Sequence, residues 1–199
     1  MMNGIFTVGS NTSVRNTIDK FGTNSLFFDG TGDYFVANSA VADTYAFAAG
    51  DFTMEGWLYS SSNTSSGQGS GIRTIFSTRS SATDTTSGRF TLGVNAANLC
   101  FYSGSSNVAF ANNSGVTMNT WHHFAATRSN GTMRIFLNGS QVNSAAFATS
   151  MASVSNVSIG SNAAGTESWN GYLDELRITK GYARYVANFS VPTDAYSET

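Results

Sequence analysis

Short segments in which every second residue is apolar recur along the chain, and turn-forming residues separate them. In residues 90–94, for example, the apolar side chains of Phe90, Leu92 and Val94 occupy alternate positions. A period of two is the repeat of a β-strand with one buried face. Over the whole chain, this pattern predicts ten or more short antiparallel strands.

Asn-Gly dipeptides mark the clearest predicted hairpins. Residues 121–127 alternate, Asn130-Gly131 follows, and the alternation resumes in residues 133–137. Asn-Gly adopts the positive backbone angles of a two-residue hairpin turn at little cost. Asn138-Gly139 predicts a second such turn, which leads into residues 141–147.

Two further connections follow from local sequence. The Gly-rich stretch 29–33 lies between alternating residues 25–28 and 34–36, which predicts another hairpin. Residues 181–189 are predicted to form a helical turn. No linker divides the chain, so we expect one all-β domain over residues 1–199, built as two packed antiparallel sheets in a sandwich or jelly roll.

The composition supports an all-β chain and narrows the range of partners. Ser, Thr, Asn and Gly make up nearly half of the 199 residues, and they suit turns and strand edges better than helices. The formal net charge is −2 and basic residues form no run, which argues against nucleic acid and anionic membranes as partners. The single cysteine, Cys100, cannot form an internal disulfide.

The N-terminal region lacks the features of a secretory signal. Residues 1–20 contain no basic stretch followed by an apolar one. We therefore expect the protein to be made and first folded in a cytoplasm. No apolar stretch approaches the roughly 20 residues that span a bilayer.

Two polar stretches, residues 60–71 and 80–88, interrupt the strand pattern. They are interpreted either as mobile loop tips or as loops that ring a ligand surface, as loops of sandwich folds often do. The sequence leaves both alternatives open.

Residue patterns for catalysis are missing. His122 and His123 are neighbours on a predicted strand, so they point to opposite faces and cannot bind one metal ion together. The acidic residues contain no Glu-X-Asp pair that would place two carboxylates on one strand face, as glycoside hydrolysis requires. Asp174 and Glu175 are adjacent and project oppositely. The protein is therefore not expected to be an enzyme.

Two aspartates are candidate calcium ligands. Asp174 falls in phase with the apolar positions Leu176 and Ile178, and a buried carboxylate is costly unless it is hydrogen-bonded or metal-bound. Asp33 and Asp29 flank a Gly-rich turn whose carbonyls could complete an oxygen-rich site. The alternative is that Asp174 caps backbone amides and Asp33 stabilises a turn.

Aromatic side chains near polar loops are the candidates for contact with a ligand. A pyranose packs its apolar side on an exposed aromatic ring. The eligible residues are Tyr59, Trp169, Tyr182 and Tyr185. A cluster of them at a loop rim would favour a sugar, and a cluster across a sheet face would favour a protein partner.

Five motifs in register carry a resemblance to a known family. They are residues 25–34 (SLFFDGTGDY), 52–58 (FTMEGWL), 121–128 (WHHFAATR) with 134–139 (RIFLNG), 158–160 (SIG) and 171–178 (GYLDELRI). In this order they resemble laminin-G-like domains of the concanavalin A-like jelly-roll superfamily, over about residues 20–190. The tail 177–189 with Pro192-Thr193 is similar to the variant found in structural proteins of tailed bacteriophages. The resemblance implies a glycan- or protein-binding module, often with one calcium ion at the rim of the sandwich.

These observations predict a non-catalytic binding module on a bacteriophage virion. It would decorate the capsid or belong to the tail or fibre, in several copies, with other virion proteins and host-surface glycans as partners. A free lectin-like module is the alternative, and a glycoside hydrolase of the same fold is a weaker one. Residues 182–189 are expected to close the sandwich edge within the chain or to dock on a neighbouring subunit.

Overall fold

Two antiparallel sheets of seven strands each build the protein in the computed structural model. It describes residues 5–9, 11–38, 45–62, 64, 71–110, 114–152, 154 and 156–197. The strands are β1 (Ile5–Gly9), β2 (Ser13–Arg15), β3 (Ser25–Asp29), β4 (Tyr34–Asn38), β5 (Phe52–Ser60), β6 (Ile72–Ser77), β7 (Phe90–Asn95), β8 (Asn98–Ser103), β9 (Ser106–Phe110), β10 (Trp121–Ser129), β11 (Thr132–Leu137), β12 (Ser140–Ala146), β13 (Asn156–Ile159) and β14 (Asn170–Lys180). Sheet A has the order β1-β4-β13-β6-β7-β8-β9, and sheet B has the order β12-β11-β10-β5-β14-β3-β2. The predicted all-β sandwich is confirmed.

The core between the inner faces of the two sheets is rich in phenylalanine. Ring pairs cross from one sheet to the other: the centroids of Phe76 and Phe124 lie 6.3 Å apart, as do those of Phe52 and Phe101. All four rings are buried. Burial of one such side chain stabilises the fold by about 1.5–3 kcal/mol, so this aromatic layer holds the sheets together.

Both predicted Asn-Gly turns are confirmed. Asn130 and Gly131 have φ angles of +48° and +71° and join β10 to β11, which pair antiparallel. Asn138 and Gly139, with φ angles of +51° and +78°, join β11 to β12 in the same way. Asn and Gly tolerate these left-handed conformations better than other residues.

The hairpin predicted around residues 29–33 is wrong. β3 pairs with β2 and β14 in sheet B, whereas β4 pairs with β1 and β13 in sheet A. The turn therefore carries the chain across the sandwich from one sheet to the other. Alternation and turn residues identify two strands locally, but they carry no information about which strands each one pairs with.

A β-bulge in β14 changes the faces that its residues occupy. Glu175 and Leu176 together lie opposite Gly56 of β5, and Glu175 has a φ angle of +49°. The extra residue reverses the alternation, so that Leu176 and Ile178 pack against the core while Asp174 lies on the outer face with its paired residue on β5. The prediction that Asp174 shares a phase with these two apolar residues is therefore wrong.

Residues 181–197, the C-terminal segment, run across the outer face of sheet B. The hydroxyl of Thr53 donates a hydrogen bond to the carbonyl of Tyr182 (3.0 Å), and that of Thr127 donates to the carbonyl of Tyr185 (2.8 Å). The segment contains no helix, so the helical turn predicted within it is wrong. It covers a sheet face within its own chain, whereas the sequence suggested closure of an edge. In the described residues there is also no helix long and apolar enough to span a membrane.

Beneath this segment lies Glu55, a fully buried carboxylate on the outer face of β5. Arg177 Nη2 and the hydroxyl of Tyr185 each lie 2.7 Å from its oxygens, and the hydroxyl of Tyr196 lies at 3.3 Å. His123 Nε2 is 3.7 Å away. A buried carboxylate is costly without such partners. The bulge supplies Arg177 on the correct face, and the C-terminal segment supplies both tyrosines.

These contacts determine the ionisation of Glu55. Burial by itself would raise its pKa, but the adjacent His123 ring and hydrogen bonds from Tyr185 and Arg177 outweigh burial and hold the pKa below the ordinary value. A carboxylate with a lowered pKa in the folded state stabilises the fold above its ordinary pKa. That contribution is lost as the pH falls through the folded-state value.

We expect Glu55→Gln to lower the free energy of unfolding at neutral pH by about 3 kcal/mol, because the positive charge of Arg177 loses its partner. The variant is also expected to lose less stability on acidification than the wild type. Urea unfolding over a series of pH values from neutral to acid measures both effects. The exposed Asp194→Asn variant is the control and should behave as the wild type. An acid-dependent loss in Glu55→Gln equal to that of the wild type would contradict the assignment.

Candidate functional site

Four aromatic side chains form a row across the outer face of sheet B, away from the C-terminal segment. They occupy directly paired positions on four neighbouring strands and are Trp121 of β10, Tyr59 of β5, Tyr172 of β14 and Phe27 of β3. Consecutive ring centroids lie 5.5, 5.7 and 5.0 Å apart, with each ring tilted against the next. Neighbouring strands are about 4.8 Å apart, so this aromatic row spans about 14 Å.

The two ends of the aromatic row differ in access. At one end the guanidinium of Arg15 lies 4.0 Å above the ring of Phe27, and the hydroxyl of Tyr172 is 3.5 Å from that of Thr17. At the other end Tyr59 and Trp121 are half-buried, with part of each ring open to solvent. The open end thus presents two half-buried rings that contact each other.

The open end borders two loops. Met118, 45% exposed, lies beside it, because Ser60 pairs with Met118 in an isolated β-bridge. The amide of Asn119 donates a hydrogen bond to the carbonyl of Ser60 (2.8 Å). The aromatic row therefore lies on a sheet face but at its loop-bearing end. Most of the polar stretch 60–71 that follows lies outside the described residues.

The four aromatic residues singled out in the sequence lie in different places. Tyr59 belongs to the aromatic row. Trp169 is fully buried in the core, so its ring faces are not available to a ligand. Tyr185 stacks on Phe189 with centroids 3.5 Å apart, and its hydroxyl binds Glu55. Tyr182 is 61% exposed and lies on the C-terminal segment.

Sequence analysis missed Trp121 as a partner of Tyr59. Both residues occur at strand ends in the alternating pattern, but they are 62 positions apart, from 59 to 121. Their contact depends on the register between β5 and β10, which pairs them directly. No local signal in either strand sets this register.

Asp33 organises the crossing between the sheets. Its carboxylate is fully buried and accepts hydrogen bonds from the backbone amides of Asn11 (2.9 Å) and Asp29 (2.5 Å). Burial raises the pKa of Asp33, and the adjacent carboxylate of Asp29 adds to the rise. Its oxygens thus hold the start of the turn and the loop between β1 and β2.

Asp174 has a similar role on sheet B. One carboxylate oxygen accepts hydrogen bonds from the amides of Lys20 (2.8 Å) and Phe21 (3.3 Å), and the other accepts one from Glu175 (2.8 Å). These hydrogen bonds hold the loop before β3 against the sheet and stabilise the bulge. The hydrogen-bonded alternative accounts for the burial of Asp174.

The structure places the two candidate calcium ligands in different parts of sheet B and its connections. Asp29, which contacts Asp33, pairs with Asn170, and Asn170 lies four residues from Asp174 on β14. The backbone positions of Asp29 and Asp174 are therefore about 13 Å apart. Within the described ranges, no three His, Cys, Asp or Glu side chains come close enough to hold a metal ion.

The histidines and the cysteine are engaged in packing. His122 accepts a hydrogen bond from the amide of Thr117 (3.1 Å), while His123 lies on the other face with Nε2 3.2 Å from the hydroxyl of Tyr196. Cys100 is fully buried, and burial raises the pKa of its thiol to about 12. A thiol that stays protonated is a poor nucleophile.

A comparison with known protein families identifies the fold family. A family model described as the concanavalin A-like lectin/glucanases superfamily matches residues 29–184. The chain belongs to this superfamily. The laminin-G-like resemblance carried by the sequence motifs agrees with the match. No curated protein matches the sequence.

Several solved structures share this concanavalin A-like architecture. Domain 4 of AbnA, a GH43 extracellular arabinanase from Geobacillus stearothermophilus, in complex with arabinotriose, is similar with a TM-score of 0.66 at 17% identity; the match covers 90% of this chain and 83% of that one. The binding domain of botulinum neurotoxin serotype D has a TM-score of 0.64 at 15% identity, covering 92% of this chain and 44% of that one. Domains LG4-5 of the mouse laminin alpha1 chain have a TM-score of 0.59 at 14% identity, covering 88% and 47%. This chain thus spans less than half of the neurotoxin and laminin chains, and the likeness concerns the fold.

We expect a saturating calcium chelator to leave the melting temperature unchanged, because backbone amides already bind the oxygens of Asp33 and Asp174. Asp174→Ala should lower the melting temperature by several degrees, since three amides lose their acceptor. Differential scanning calorimetry with and without chelator measures both effects. A chelator-dependent fall in melting temperature that Asp174→Ala abolishes would instead identify a calcium ligand.

Proposed function

We propose that the chain is a non-catalytic module that binds a saccharide at Tyr59 and Trp121, the open end of the aromatic row. The main support for this proposal is that strand register and packing place these two rings side by side, with centroids 5.5 Å apart. Aromatic rings held in place before binding offer contact area at little entropic cost. The apolar side of a sugar ring packs well on such a surface.

The small size of the open surface favours a sugar over a protein partner. The position of the aromatic row on a sheet face would by itself favour a protein partner. However, the C-terminal segment covers much of the same face, and Arg15 covers Phe27 at the other end of the aromatic row. A stable protein interface buries about 800 Å² on each partner, which is more than two half-buried rings and a neighbouring Met118 provide. A saccharide chain needs only a few rings.

One of the similar structures supports the same class of ligand, because it is a domain in complex with arabinotriose. A glycoside hydrolase remains the weaker alternative. It would need two carboxyl groups facing one sugar bond, whereas the buried Glu55 and Asp174 are held by internal donors.

The setting we propose is the surface of a bacteriophage particle, on the capsid or on the tail or fibre, in several copies. Support comes from the resemblance of residues 177–189 with Pro192-Thr193 to structural proteins of tailed phages. The saccharide would then belong to the surface of the host cell, and other virion proteins would be partners. In this proposal the module contributes adhesion and no cleavage.

Trp121→Ala and Tyr59→Ala should each weaken binding to the saccharide by at least about tenfold, because each removes one of two stacking surfaces. A glycan array with host polysaccharides and arabino-oligosaccharides identifies the ligand, and isothermal titration then measures the affinity. Tyr182→Ala is the matched control, since it removes an exposed tyrosine outside the aromatic row. Equal loss in the control variant, or no binding by the wild type to any saccharide, would contradict the proposed site. Release of shorter saccharides would overturn the non-catalytic assignment.

The virion setting is tested separately. Quantitative mass spectrometry of purified particles should detect this chain in several copies, and particles stripped of it should rebind the purified chain. Its absence from mature particles would contradict the virion proposal and leave the free lectin-like module.

A further inference from the structure

A cleft of about 410 Å³ opens at the end of the sandwich opposite the aromatic row. One of its lining residues, Phe147, donates its amide to the carbonyl of Gly131 (2.6 Å), at the turn that ends β10. Trp121 begins the same strand, and its nine residues extend over about 26 Å. The volume falls within the roughly 300–1,000 Å³ of small-molecule sites. The cleft and the aromatic row are therefore separate surfaces.

The lining of the cleft is uncharged and rich in hydroxyl groups. Its apolar members are Val108, Ala146 and Phe147. The exposed hydroxyls of the lining belong to Thr85, Ser87, Ser105 and Thr149. A hydroxyl can both donate and accept a hydrogen bond, which matches the hydroxyls of a sugar. The apolar members match the carbon-bound hydrogens of a sugar ring.

One wall, the polar stretch 80–88, is held by internal hydrogen bonds. The carboxylate of Asp84 accepts hydrogen bonds from the amides of Ser80 (2.8 Å) and Thr86 (3.0 Å), and it pairs with Arg89 (3.2 Å). The fully buried Arg79 donates from Nε to the carbonyl of Asp84 (2.8 Å). Of the two alternatives left open for this stretch, these contacts favour a loop organised beside a ligand surface.

Backbone contacts of two glycines hold the neighbouring parts of the cleft. The amide of Ala152 donates to the carbonyl of Gly88 (3.0 Å), and the amide of Gly104 donates to the carbonyl of Arg89 (3.0 Å). A Cβ atom on Gly88 would lie 2.4 Å from the carbonyl oxygen of Ser150, so only glycine allows this approach. The walls of the cleft are thus in place before a ligand arrives.

Charged groups near the cleft are already neutralised or bonded. Arg89 pairs with Asp84, and the buried Arg128 donates to the carbonyls of Gly50 (2.8 Å) and Thr149 (2.9 Å). An ionised ligand would find no opposite charge on the lining, and desolvation of its charge would be uncompensated. The lining therefore selects against charged ligands.

We infer that this cleft is a second binding site, which takes an uncharged pyranoside through the hydroxyls of Ser87 and Ser105. The site is independent of the aromatic row, and each chain then has two saccharide-binding surfaces at opposite ends. Two weak sites on one chain can engage one polymer or bridge two, which raises the overall affinity beyond either site.

NMR titration of the full chain, labelled with ¹⁵N, tests the site with single sugars. The probes are the neutral methyl glucopyranosides and methyl galactopyranosides in both anomers, N-acetylglucosamine, and the charged glucuronate and glucosamine. At least one neutral probe is expected to shift the amide signals of Ser87, Gly104, Ser105 and Thr149. Both charged probes should bind at least about tenfold more weakly, because nothing on the lining compensates their charge.

Variants separate the cleft from the rest of the surface. Ser105→Phe fills the cleft and should abolish these shifts, whereas Ser140→Phe, at an exposed position outside it, should not. The milder double variant S87A/S105A keeps the fold and should weaken binding at least about fivefold. Unchanged binding in the double variant would overturn the assignment.

The remaining outcomes of the titration would each refute a particular part of the proposal. If no neutral probe shifts the cleft amides at its solubility limit, the second site is refuted. If glucuronate or glucosamine binds as tightly as the neutral sugars, the inference about charge is refuted. Shifts confined to the amides of Tyr59 and Trp121 would refute the cleft while they support the first proposed site, and Trp121→Ala should leave cleft binding unchanged.

Discussion

The burial of the Glu55 carboxylate is the constraint on which the outer face of sheet B depends. An isolated carboxylate at this position would destabilise the fold by several kcal/mol. Its partners come from three separate parts of the chain: His123 from β10, Arg177 from β14, and Tyr185 with Tyr196 from the C-terminal segment. The bulge at Glu175 and the course of residues 181–197 therefore belong to one arrangement, because both are needed to satisfy the same charge.

The course of the C-terminal segment also determines which surfaces stay open. It occupies one half of the outer face and leaves the aromatic row at the other half, where Tyr59 and Trp121 are half-buried. At the opposite end of the sandwich, the loop organised by Asp84 and Arg79 leaves a cleft lined by hydroxyls. Both surfaces are bordered by hydrogen-bonded strands or loops, and a surface that is formed before binding takes a ligand at a lower entropic cost.

Local sequence was sufficient for features whose cause is local. The alternating segments became strands, and Asn130-Gly131 became a tight turn because these residues tolerate positive φ angles. The turn at residues 29–33 was recognised as a turn, but its strands pair in different sheets. Residues 181–189 contain no helix, since their carbonyls bind Thr53 and Thr127 of the sheet.

By itself, then, the sequence determined the all-β class, most strands, the Asn-Gly turns and the superfamily, because period, turn chemistry and ordered motifs are properties of consecutive residues. Tyr59 was one of its four candidate ligand contacts, and the proposed saccharide site includes it. Only the tertiary structure decided that Trp121 adjoins Tyr59, that Trp169 is buried, and that Asp174 faces away from the core. The first of these depends on strand register and the last on a one-residue bulge, and a shift of one residue moves a side chain to the opposite face of the sheet.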